Sequence, residues 1–181
     1  MPITKSGKSA DLTNLTLNPA DIPSLSQLPL LFKQHKPALS KSITILKRMD
    51  PKLLDEVVHD LHEQAFAFYD CLVCANCCRT ISPAMSSSDV DDIAKKLRIK
   101  AAEVVTRHMY MDDEGDYVFN SAPCPYIDND NFCSVYSHRP KACREYPHTD
   151  RRRFSQILDL SMKNAAVCPV VYAILMKLNV S

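Results

Sequence analysis

The feature that most constrains this chain is a run of four thiols, Cys71-x2-Cys74-x2-Cys77-Cys78, in a sequence of 181 residues with eight cysteines. Thiolate is a strong, soft ligand, and ligands two residues apart can reach one ion without distorting the backbone. On a regular helix, Cys71, Cys74 and Cys78 would share an arc of about 60°, with Cys77 about 100° from Cys78. In a loop, Cys71, Cys74 and Cys77 could instead wrap a cubane in the manner of the bacterial ferredoxin run. Both readings stay open. In either, neighbours in a regular element point apart, so one of Cys77 and Cys78 is expected to face a different site or shell. The remaining thiols, Cys124, Cys133, Cys143 and Cys168, stand singly. Eight thiols suffice for two four-cysteine sites, or for one cluster with additional structural or resolving thiols. Packing does not explain the tight run, whereas the lone Cys168, on an apolar helix, could serve as a small buried hydrophobe.

Compartment decides how dense cysteine is read. The chain opens Met1-Pro2-Ile3-Thr4-Lys5 and continues polar, without the apolar centre of a signal peptide. Its longest apolar runs fall far short of the ~18 residues of a membrane span. A cytoplasmic protein is expected, and in a reducing compartment such thiols point to metal or redox chemistry rather than disulfides. Net charge is +1 and tryptophan is absent, so neither a broad basic face nor a stacking platform is present. No nucleic acid and no membrane is expected as a partner; Arg151-Arg152-Arg153 reads as a solvated loop or helix end. With only Gly7 and Gly115, phosphate-cradling loops are excluded. The radical SAM spacing fails because Ile81 stands where a third cysteine would be needed. His59, His62 and Glu63 lack the order of a zinc-protease helix and read as solvent-facing or core-edge residues. His138 and His148 could each replace a thiolate in a Cys3His zinc site. No catalytic motif stands out.

Prolines at 2, 19, 23, 29 and 37 interrupt the first 38 residues, so residues 1–38 are expected to form a partly docked arm and residues 39–181 the cysteine-cluster metal-binding domain. Helical patterning is expected from about 39. Asp50-Pro51 reads as a cap and first helical residue, followed by Leu54, Val57, Val58, Leu61, Ala65 and Phe68 on one face. Ser88 and Asp91 have capping-box spacing for a third helix, and residues 101–109 suggest a fourth. Tyr117–Phe119 suggests a short strand. Between 112 and 150, acidic turns and four prolines leave too little periodic apolar surface for packing alone, so metal ligation is expected to supply the constraint. The tail from about 155 to 179 is helical, kinked or divided at Pro169. The fold class is therefore mainly α: a small single domain with an irregular cysteine-rich segment pinned to helices by metal.

The run Cys71-Leu72-Val73-Cys74-Ala75-Asn76-Cys77-Cys78-Arg79 resembles the signature of the YkgJ-like CxxCxxCC family of zinc- or iron-chelating proteins. Further elements agree: Cys124-Pro125-Tyr126, Phe132-Cys133-Ser134-Val135-Tyr136, Arg139-Pro140-Lys141-Ala142-Cys143-Arg144-Glu145-Tyr146-Pro147, and the closing Cys168-Pro169. The resemblance covers roughly residues 66 to 176 and implies that all eight cysteines are metal ligands. One departure is Ala75, where glycine is frequent, which disfavours a tight turn there. Arg79, Arg139 and Arg144 could donate toward anionic thiolates, or pair on the surface with local carboxylates. Tyr136 and Tyr146 read as core and hydrogen-bonding residues. The implied function is a protein that holds zinc or iron, possible as an iron–sulfur cluster, in a structural role or as a carrier delivering metal to a protein partner. The alternative is an iron–sulfur redox or methyl-transfer enzyme component, because related cysteine motifs occur in flagellin lysine methylases.

Overall fold

The computed structural model describes residue 12 and residues 14–179; of the arm, residues 1–11 and 13 lie outside the described set. The fold is mainly α, as the patterning indicates. Helix α1 (Leu28–Leu46) begins at Leu28 rather than near 39. Pro29 falls in its first turn, where no hydrogen bond is lost, but Pro37 is inside it. An interior proline costs about 3 kcal/mol. Leu39, Ile43 and Leu46 are buried on the same helix, and at roughly 1.5–3 kcal/mol for each buried side chain they outweigh it. The segment before α1 reaches the core through Leu12 and Leu17, and the Leu17 N–H donates to Gln64 Oε1 at 2.7 Å.

Helix α2 (Pro51–Phe66) starts as Asp50-Pro51 requires, with Asp50 Oδ1 accepting from the N–H groups of Lys52 at 2.9 Å and Leu53 at 3.0 Å. Phe68, assigned to its apolar face, lies beyond the helix and is 41% exposed. The tail is divided. A 3-10 turn over Phe154–Ile157 leads into α8 (Leu158–Asn164), and α9 (Pro169–Lys177) restarts with Pro169 in its first turn. Helices α1, α2, α8 and α9 enclose a first core that includes Leu54, Leu61, Phe154, Leu158 and Ile174.

A second core lies between α5 (Ser87–Leu97), α6 (Ala101–His108) and a hairpin of β1 (Met109–Met111) and β2 (Tyr117–Phe119). The strands are antiparallel with Tyr110 opposite Val118. The capping box of α5 is Ser86 with Asp89, not Ser88 with Asp91. Three consecutive serines offer three registers. The chosen one lets Asp89 cap α5 with one oxygen while the other accepts the Lys141 N–H at 2.8 Å. Burial works against the Asp89 carboxylate, but hydrogen bonds from Ser86 and the Lys141 backbone outweigh it and hold its pKa below the usual value. That contact fixes α7 (Lys141–Glu145), which carries Cys143, against the second core. The 112–150 stretch therefore does more of its own packing than its sequence suggests: Phe119, Tyr126 and Val135 are buried in this core, with Cys124 and Cys133 against it. Arg151, Arg152 and Arg153 are exposed in a turn. Among the described residues no helix is long and apolar enough to cross a membrane.

Candidate metal centre

The four-thiol run is neither one helix nor a loop. It forms two short helices, α3 (Cys71–Cys74) and α4 (Asn76–Thr80), separated by Ala75 at φ +46°, ψ +14°. The tight left-handed turn that alanine disfavours is therefore present, and Ala75 is 3% exposed. Asp70 caps α3 by accepting from the Leu72 N–H at 2.8 Å. The segment is tied to both halves of the molecule. Asn76 Nδ2 donates to the Val167 carbonyl at 2.7 Å, next to Cys168. On the other side the Cys124 N–H donates to the Cys78 carbonyl at 2.8 Å.

Cys124 and Cys133 are brought together by a tight loop with a bridge between Ile127 and Cys133. Asp128 Oδ1 accepts from the Asp130 and Phe132 N–H groups, and Asn131 has φ +63°. Asn131 clamps this loop to the thiol run: its Oδ1 accepts from Arg79 Nη2 at 2.6 Å and its Nδ2 donates to the Val73 carbonyl at 3.0 Å.

Cys71, Cys77, Cys78, Cys124, Cys133 and Cys143 line one cavity of about 380 Å³. Cys74 neighbours Tyr69, and Cys168 is buried at the start of α9, 8% exposed, within the first core. All eight thiols are free. Among the described residues, no three His, Cys, Asp or Glu side chains are already gathered tightly enough to enclose an ion. Among the described residues, three buried side-chain polar atoms have no hydrogen-bond partner, Tyr126 Oη, Tyr146 Oη and His148 Nδ1. All three residues line this same cavity. Soft sulfur donors surrounded by unsatisfied O–H and ring-nitrogen groups fit a zinc or iron centre, whose bound sulfur can accept their hydrogen bonds.

The sequence matches the family model described as CxxCxxCC: Putative zinc- or iron-chelating domain, over residues 70–169. The chain belongs to this CxxCxxCC family. No curated protein and no solved structure matches it. The CxxCxxCC match spans all eight cysteines, while α1, α2 and nearly all of α9 lie outside it. Those outer helices build most of the first core, on which the chelating segment sits.

Burial favours the protonated form of Cys71, Cys124, Cys133, Cys143 and Cys168. Burial pushes Cys124 up to about 11 and Cys168 up to about 12. Cys143 rises to about 12 through burial and the neighbouring Cys78, Cys124 and Cys133. Cys71, at the open edge, rises to about 11 through the packed atoms around it and then Cys74 and Asp70. Cys77 and Cys78 lie 3.9 Å apart at sulfur. The hydrogen bond between them lowers Cys78 and raises Cys77, and the charges of Arg139 and Arg79 also favour ionised Cys78. A metal must therefore displace several protons to bind.

Arg79 and Arg139 favour ionised Cys78 without pairing with carboxylates. Among the described residues none of the ion pairs involves Arg79, Arg139 or Arg144. Arg139 lies over the Tyr136 ring, 3.6 Å from its centroid, and donates to the Tyr136 carbonyl. Arg144 donates to the Arg139 carbonyl. The histidines divide. His62 Nδ1 is 2.7 Å from Thr149 Oγ1 and His59 Nε2 is 3.1 Å from the Arg151 carbonyl, so both secure α2 to the 149–151 turn. His138 Nδ1 meets Ser137, whereas His148 faces the cavity. The sequence reading missed Tyr69, Tyr126 and the unpartnered state of Tyr146. The Cys124-Pro125-Tyr126 and Cys143-x2-Tyr146 spacings were the available signals.

Proposed function

We propose that this chain is a metal-binding protein holding zinc or iron, the iron as an iron–sulfur cluster, through the thiolates of Cys71, Cys74, Cys77, Cys78, Cys124, Cys133, Cys143 and Cys168. The observation that carries this reading is the coincidence of six thiols and three unpartnered buried polar atoms around one cavity. Each unsatisfied buried polar group costs about 1–3 kcal/mol, and a loaded centre supplies the acceptors that remove that cost. Bound metal would act as a cross-link joining α3, α4, the 124–133 loop, α7 and the start of α9, so its binding free energy becomes folding free energy.

The chain's own residues prepare that event. Arg139 and Arg79 offset the negative charge gathered around Cys78. Tyr69 meets Cys74, and Asn131 keeps the 124–133 loop against the run. The proposed location is the cytoplasm, whose reducing conditions leave such thiols free to ligate.

Anaerobic purification followed by elemental analysis and a visible spectrum tests the reading. A colourless protein with stoichiometric zinc, or a brown one with iron and acid-labile sulfide, supports it. A metal-free, fully folded protein whose thermal melt ignores chelators would overturn it.

A further inference from the structure

This inference rests on the metal-binding reading above and divides its site. We propose that the eight thiols form two four-sulfur metal sites that meet at the Cys77–Cys78 pair. Cys71, Cys74, Cys77 and Cys168 form one against the first core; Cys78, Cys124, Cys133 and Cys143 form the other against the second.

The 3.9 Å between the Cys77 and Cys78 sulfurs does not decide the matter, since one zinc ion at about 2.3 Å from each would hold two sulfurs about as close. The packing of the scaffold decides it, with Cys168 in the first core and Cys124 and Cys133 against the second, and the electrostatic neighbours of each sulfur agree. Apart from Cys78, the thiols that act on Cys77 are Cys168 and Cys71, and those that act on Cys168 are Cys71 and Cys74. Cys143 is influenced by Cys78, Cys124 and Cys133; Cys124 by Cys133 and Cys78; Cys133 by Cys78. The groups adjoin at Cys77–Cys78, 3.9 Å apart at sulfur, and Cys71 and Cys77 open onto the cavity that the second group lines, whereas Cys74 and Cys168 do not.

The scaffold is divided in the same way. Cys168 belongs to the first core, and Tyr69 and Tyr146 pack against it. Cys124 and Cys133 pack against the second core, which contains Tyr126. Asn76 binds the carbonyl before Cys168, while Cys78 binds the N–H of Cys124, so the backbone contacts of α4 point the same two ways. Of the two unpartnered tyrosine hydroxyls on the shared cavity, that of Tyr146 belongs to a ring packed against the first core and that of Tyr126 to a ring buried in the second. The charges around Tyr146 are those of Cys168, Cys77, Cys71 and Cys74, and the charge on Tyr126 comes from Cys124. The left-handed Ala75 turns the chain between the second and third cysteines. Four thiolates per ion leave no open coordination position, so both sites are closed chelates.

The test is anaerobic loading of the whole protein with Cd²⁺, counted by native mass spectrometry and by ¹¹³Cd NMR. Two ions per chain and two resonances in the all-sulfur range are expected. Cys168→Ser should abolish one resonance and Cys133→Ser the other, each variant retaining one tightly held ion. The parent count stands even if a variant fails to fold. One ion per chain, a third or fourth ion sharing bridging thiolates, or loss of the same resonance in both variants would overturn the division while leaving metal binding intact. A parent that binds no Cd²⁺ would overturn both.

Discussion

The Asn76 carboxamide donates to the Val167 carbonyl at 2.7 Å, joining the centre of the four-thiol run to the residue before the last cysteine, 91 positions along the chain. The contact is partly buried, so its loss strands a carbonyl. Asn76→Ala is expected to lower stability by about 1 kcal/mol and to weaken metal binding about 10-fold, the usual effect of removing a residue that orients a ligand. Asn76→Asp should be worse, since a carboxylate cannot donate and would face the carbonyl oxygen. Competition for metal with a chromophoric chelator measures both.

Ala75 tests the break between α3 and α4. A left-handed alanine costs about 1–2 kcal/mol, a strain glycine would relieve. Against that, glycine loses a buried methyl worth about 0.8 kcal/mol and adds unfolded-chain entropy of about 0.5–1 kcal/mol. Ala75→Gly is therefore expected within about 1 kcal/mol of the parent, given that near cancellation. Ala75→Val, β-branched at positive φ and 3% exposed in the parent, should lose about 2 kcal/mol or more. Denaturant melts of the two variants read the difference.

Tyr146→Phe should change sign with metal. In the chelator-treated protein the hydroxyl has no partner, so its removal is neutral or stabilises by up to about 1 kcal/mol. In the loaded protein it removes a donor to bound sulfur and should cost about 1 kcal/mol. Equal effects in both states would remove Tyr146 from the centre.

His62 gives a pH dependence away from the thiols. Burial first, and the neighbouring His59, lower its pKa below 6.5, although Asp150 and Glu63 oppose this. A histidine whose folded pKa lies below the unfolded value binds protons more readily when unfolded. Its neutral form supports the fold above about pH 6.5, and that support is lost as pH falls from there toward the folded pKa. The stability difference between the parent and His62→Gln, taken from melts at several pH values, should shrink or reverse on acidification.

The parts of the fold that were legible in the sequence are those fixed locally. Asp50-Pro51 starts α2 because the cap and the proline act within one turn, and Pro169 divides the tail because it cannot donate a hydrogen bond. The thiol run was legible because its spacing has no packing explanation. The start of α1 was not, since Pro37 is carried by burial against residues far along the chain. Three serines hid the cap of α5, whose register is chosen by a contact with Lys141. The left-handed Ala75 is imposed by ties to Val167 and Cys124 on opposite sides. The cavity tyrosines could be named but not placed, because an unpartnered hydroxyl is a property of the assembled fold.

X-ray absorption at the metal edge of the protein as isolated without oxygen tests the central claim most directly. The expected result is a first shell of sulfur alone, at about 2.3 Å for zinc or the comparable iron–sulfur distance. A shell of nitrogen and oxygen, or no bound metal in a folded protein, would contradict ligation by the eight thiolates.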